Sequence, residues 1–118
     1  MELTPLLFPL WEHCYINVMR LIARSVLVAY AAVHPETAVA LDRWQRLIRA
    51  AGWSSMDDVR RAAPKAKVLN RERARFAIAG GDYRLIAAFD FHRQIVFVKF
   101  LGTHAEYDKV DALTVSMF

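Results

Sequence analysis

Around residue 70 the spacing of apolar side chains changes from a helical period to an alternating one, and this change limits the fold more than any other feature of the chain. Before it, Ala40, Trp44, Leu47, Ile48 and Ala51 recur at helical spacing, while Asp42, Arg43, Arg46 and Arg49 take the opposite side. This predicts an amphipathic helix from Thr37 to the region of Gly52, a residue that commonly ends helices. Upstream, Val18 to Ala23 predicts a short strand, and Ser25 a cap for a helix running to about Val33. His34-Pro35 ends that helix, because the residue before proline avoids helical angles. Ser55-Met-Asp-Asp58 matches a capping box, and Pro64 closes the short third helix that it opens. Beyond residue 70, Phe76 and Ile78 alternate with small residues, and Gly80-Gly81-Asp82 predicts a hairpin turn. Tyr83 to Phe91 and Ile95 to Leu101 read as strands joined near His92-Arg93. The expectation is an α+β fold in which an N-terminal strand and helices pack on a twisted antiparallel sheet ending in a three-stranded meander.

A chain of 118 residues suits one domain with one core. Its 56% hydrophobic content is too high for disorder, yet the longest apolar run, Val26 to Val33, is too short to span a bilayer. Leu6 to Trp11 lacks the flanks of a secretory leader, with Glu2 before it and Glu12-His13 after it. Cys14 has no partner for an internal disulfide, and His13, His34, His92 and His104 are scattered rather than at metal-ligand spacing. A soluble, cytoplasmic protein without metal or cofactor is therefore expected. Patterning begins at Met19, so residues 1–18 are expected to be an N-terminal extension and residues 19–118 a single domain. Gly80-Gly81 is followed by a strand and by no Lys-Ser/Thr pair, which argues against a phosphate loop.

Charge is unevenly placed. Between Val59 and Phe76 stand Arg60, Arg61, Lys65, Lys67, Arg71, Arg73 and Arg75 against a single carboxylate, Glu72, although the whole chain carries only +4. Such a concentration attracts phosphates and predicts salt-dependent nucleic-acid binding. It leads into a sheet whose second face, if helices cover only one, stays available. Arg84 lies in the second meander strand and Lys99 in the third. The stretch FLGTHAEYDKVDA from Phe100 then gathers His104, Tyr107 and Lys109 where the third strand stops. These are cations for a phosphate beside groups able to move a proton, and imidazole titrates near neutrality. Trp44 and Trp53 read as core residues rather than stacking platforms; Trp11 is undecided.

The succession GGDYRLIAAFDFHRQIVFVKFLGTHAEYDKVDA resembles the C-terminal half of HigB-type toxins, with MRLIAR, His34-Pro35, Trp44 and GWSSMDDVR upstream in the expected order. The resemblance spans Met19 to about Thr114 and is most specific from Gly102 to Lys109. It implies a RelE-like fold and a ribosome-dependent, metal-independent mRNA endonuclease that uses the ribose 2′-hydroxyl. It also implies a cognate helix-turn-helix antitoxin of the HigA type, with mRNA and the ribosome as further partners. Carried over by position, Arg84, His104, Tyr107 and Lys99 become the catalytic candidates, with Asp108 orienting a neighbour. Arg73, Arg75, Lys67, Arg71 and Lys109 become the RNA-binding candidates. Ala77, Ala79 and Gly81 depart from the family's polar first strand, and Lys99 stands where arginine is frequent, which removes bidentate phosphate binding. Two other readings remain open at this stage: a ParE-like toxin that binds DNA gyrase without cutting RNA, and a catalytically silent RNA-binding module.

Overall fold

The computed structural model describes residues 19–118. Strand β1 (Arg20–Ile22) leads directly into helix α1 (Arg24–Val33) through Ala23, whose left-handed backbone (φ 76°) makes the turn in one residue. The helix therefore starts before Ser25, and no side chain caps it, contrary to the expectation for that serine. A 3-10 turn (Pro35–Thr37) follows, with buried Thr37 donating to the His34 carbonyl at 2.7 Å. Helix α2 (Ala38–Ala50) then begins one residue later than predicted. Its buried face is Leu41, Trp44, Gln45 and Ile48, so the apolar stripe is rotated from the predicted one, and Leu47 sits 37% exposed at its margin. Gln45 is tolerated inside because Arg24 Nε donates to its side-chain oxygen at 3.2 Å.

Helix α3 (Met56–Ala62) shows a different start from the predicted box. The Ser55 side chain makes no capping bond; Asp58 instead accepts from the Ser54 amide at 2.9 Å and from its hydroxyl at 3.1 Å. Those bonds hold the Asp58 carboxyl below the usual carboxylate range. The chain then runs through β2 (Lys67–Val68), β3 (Arg73–Ile78), β4 (Tyr83–Asp90) and β5 (Ile95–Thr103), and ends the ordered elements with a single helical turn, α4 (His104–Tyr107).

The meander β3–β4–β5 is antiparallel, as its alternation predicted, and β2 adds to it in the same sense. The whole sheet is mixed, however. Its order is β1-β5-β4-β3-β2, and β1 joins β5 in parallel. A parallel pair needs a long crossover, here everything from α1 to β4, and no local period records the direction of a pairing made at that distance. The hairpin between Ile78 and Tyr83 turns on Gly80 (φ 71°) and Gly81 (φ 96°), backbone angles that side chains resist. One core lies between helices and sheet. It holds Leu27, Leu41, Trp44, Ile48, Trp53 and Val59 against Phe76, Leu85, Phe89, Val96, Val98 and Leu101. Each such side chain contributes roughly 1.5–3 kcal/mol by leaving water. The two tryptophans are core residues, as read; Trp11 lies outside the described residues.

Candidate functional site

Directly opposed residues in a sheet share a face, so the register defines what the helix-free side presents. Three rows cross it: Ala77, Arg84 and Gly102; Lys67, Arg75, Ile86 and Phe100; and Arg73, Ala88 and Phe97. The pairing slips between Ile86 and Ala87, opposite Phe100 and Val98, leaving Lys99 as an extra residue. Such bulges re-aim side chains. Here Lys99 Nζ lies 5.3 Å from the Phe97 ring centroid and lines a recess with Arg73, Glu72 and Asp90.

This face is less open than expected. Ile86 is fully buried and Phe100 is 2% exposed, because the end of the chain folds back across them. Tyr107 packs edge-on to Phe100 at 6.0 Å, and the Arg75 guanidinium lies 5.5 Å from the Tyr107 ring. Arg73 donates to the carbonyls of Ala112 (3.0 Å) and Val115 (2.8 Å), and the Met117 amide donates to the Lys99 carbonyl at 2.9 Å. Periodicity did not anticipate this strap, since none of its bonds to Arg73 or Lys99 uses a patterned side chain.

At the far end of β5 the chemistry gathers. Thr103 caps α4 reciprocally with Glu106: the Glu106 amide donates to the threonine hydroxyl at 3.1 Å, and the Thr103 amide donates to the glutamate at 2.8 Å. The His104 amide donates to the Asp82 carbonyl at 2.9 Å, tying α4 to the β3–β4 turn. His104 itself is half-exposed, and its Nδ1 lies 3.2 Å from Asp108 one turn later. An imidazole that gives its Nδ1 proton to a carboxylate keeps Nε2 as a proton acceptor. Arg84 reaches back to the Gly81 carbonyl at 2.8 Å through one terminal nitrogen, while its Nε is buried with no acceptor among the described residues. Gly102 stands between them without a side chain; a Cβ there would meet Phe100 Cζ at 2.9 Å and the Glu106 carboxylate at 2.7 Å.

Of the catalytic candidates, Arg84, His104 and Tyr107 thus lie at or beside one strand end, with Lys99 at the bulge further back along β5. Of the RNA-binding candidates, Arg73, Arg75 and Lys67 share the helix-free face, and Lys109 follows α4. Arg71 is elsewhere, lining a cleft with Arg60, Ser54 and Asn70 near α3. Asp108 and Gly102 belong to the arrangement more closely than their residue types alone disclose; the spacing His104-x-x-x-Asp108 on a helix was the available signal.

Among the described residues no group of three or more His, Cys, Asp or Glu could hold a metal ion, and no helix is long and apolar enough to cross a membrane. A family model described as the HigB toxin, RelE-like toxic component of a toxin–antitoxin system, matches residues 37–110. The chain is also 29% identical over 94 residues to the mRNA interferase HigB of Escherichia coli O6:H1, an alignment that covers 78% of this chain and 91% of that relative.

Proposed function

The chain belongs to the HigB family of RelE-like toxic components of toxin–antitoxin systems, and from that membership we propose that it is an mRNA endoribonuclease cutting at the His104 end of β5. The observation that carries this is the Arg84 guanidinium, fixed through one terminal nitrogen on the Gly81 carbonyl, on the row next to the Asp108-oriented imidazole of His104. A guanidinium held this way still has a terminal nitrogen to offer, and a phosphate oxygen is the acceptor that it suits best.

In the proposed reaction the 2′-oxygen of the ribose attacks the neighbouring phosphorus. His104 Nε2 takes the 2′-hydroxyl proton, the bond to the 5′-oxygen breaks, and that oxygen receives a proton from the Tyr107 hydroxyl. The products are a 2′,3′-cyclic phosphate and a 5′-hydroxyl. Arg84 offsets the negative charge that builds on the phosphorane, with Arg75 and Lys99 adding to the positive field of the face. Lys67 and Lys109 extend that field along the RNA. The folded toxin unit is residues 19–118. The translating ribosome presents the mRNA, and the antitoxin that a toxin of this family requires is a helix-turn-helix protein of the HigA type.

His104→Gln and Arg84→Ala should each lower cleavage of ribosome-presented mRNA by about 10²- to 10⁴-fold while leaving circular dichroism unchanged. Cleavage by the unaltered chain should continue in EDTA once the ribosomal complex is assembled. Full activity of folded His104→Gln, or 5′-phosphate ends, would refute the assignment. Gyrase inhibition without RNA cleavage would point to the ParE-like alternative.

A further inference from the structure

The conspicuous basic surplus lies between Val59 and Phe76, yet the fold assembles a second cationic site from arginines far apart in the chain. Arg20 of β1, Arg24 at the start of α1, and Arg46 and Arg49 on α2 line one recess of about 560 Å³ together with Met19, Leu21 and Ala50. Arg24 leans on Gln45 through Nε, and Arg46 Nε pairs with Asp42 at 2.8 Å on the exposed side of α2. Four guanidinium groups around one recess repel one another, and an anion seated among them relieves that repulsion.

We propose that this recess is a second RNA site, gripping the phosphodiester backbone outside the cutting face. Preferring RNA to other polyanions rests on the ribonuclease reading above. The lining favours it independently over an acidic protein segment. Protein interfaces need a central, large apolar anchor, and Met19, the longest apolar side chain of this lining, is only 2% exposed. Guanidinium forks match phosphate oxygens in pairs, and arginine rather than lysine occupies all four positions.

Position determines what the site can do. Arg20 is in register with Ile95, the first residue of β5, whereas His104 follows Thr103, the last. At ~3.3 Å per residue the strand separates the two sites by about 26 Å. That is roughly eight nucleotides at the stacked rise of ~3.4 Å. A short RNA bound at His104 does not reach the recess, and a long one does.

The test is fluorescence anisotropy with the full chain and 2′-O-methyl RNAs of 6 and 20 nucleotides, which cannot be cut by 2′-hydroxyl attack. The Arg46→Ala/Arg49→Ala double variant should bind the 20-mer about tenfold or more weakly, with a salt slope reduced by about 2, and lose far less affinity for the 6-mer, which still has the cutting face to bind. Arg46→Lys/Arg49→Lys should keep the slope. If the alanine pair lowers the melting temperature, Arg20→Ala on the edge strand provides the same comparison with an expected slope change of about 1. Unchanged 20-mer affinity and slope in folded variants would overturn the site while leaving the nuclease reading intact. Polyglutamate displacing the 20-mer from the unaltered chain more effectively than RNA does would overturn RNA as the occupant. Length-dependent binding that needs these arginines, in a chain that cuts no RNA, would sustain the site and refute the nuclease.

Discussion

Asp108 and His104 stand one helical turn apart at the mouth of the proposed site, 3.2 Å between carboxylate oxygen and Nδ1. The contact is half-exposed, so its contribution to stability is small; what it does is orient a ring. A carboxylate on Nδ1 selects the tautomer whose Nε2 accepts a proton. An amide at position 108 could equally donate to Nδ1 and select the other tautomer. Asp108→Asn should therefore lower kcat by roughly 10- to 100-fold, the loss typical when a partner that orients a functional imidazole is removed, with KM little changed. Nitrogen NMR of the His104 ring would report the tautomer directly. An unaltered kcat, or a ring whose tautomer does not respond, would reduce Asp108 to a surface residue. Arg73 is a contrasting case, because its guanidinium is already engaged with two carbonyls of the chain end, where sequence position alone assigns it to RNA.

Between elements, the corner after α1 is joined to the start of β4 by one polar contact. The Tyr83 hydroxyl donates to the Glu36 carboxylate, His34 stacks on Tyr30 at 4.3 Å, and Tyr83 lies edge-on to His34 at 5.7 Å. Tyr83 immediately precedes Arg84, so this joint fixes the strand end on which the site is built. The hydrogen bond from Tyr83 lowers the Glu36 pKa from its usual 4.5 and pushes Tyr83 up to about 12. For Glu36, the folded state favours the ionised form. Its stabilisation is complete above the unfolded value and is lost as pH falls through the depressed one. For Tyr83, the folded state favours the neutral phenol. That contribution is present below the ordinary value of 10.0 and is lost as pH rises through about 12. Glu36→Gln should melt lower at neutral pH and lose less stability than the unaltered chain as pH falls below the ordinary carboxylate value. Parallel acid limbs in thermal melts of the two proteins would show that the contact is not linked to folding.

For the molecule as a whole, the core of the described residues includes buried Met19, and the Met117 amide near the other end is bonded to β5. Expression of residues 19–118 should therefore yield a soluble product that arrests growth, and co-expression of a helix-turn-helix antitoxin should restore growth and co-purify with it. A non-toxic or insoluble product beside a toxic full-length chain would show that residues 1–18 complete the fold.

The succession of helices then meander was legible because hydrophobic period reports which face a residue turns inward, and that is a local property. The gathering of His104, Tyr107 and Lys109 was legible for the same reason, since those residues are close in the chain. His34-Pro35 was legible as a helix stop, though not as the corner that holds Tyr83. Contacts between distant segments left no such trace. The parallel docking of β1 on β5, the bulge at Lys99 and the strap that engages Arg73 are choices among packings that the same periods allow. The convergence of Arg20, Arg24, Arg46 and Arg49 is of this kind too: in the chain they are separate charges on solvated faces, and they become one site when α2 packs beside β1. Local propensity acts over a few residues, whereas the free energy that selects one packing is spread over the whole core, so it is the folded arrangement that brings these groups together.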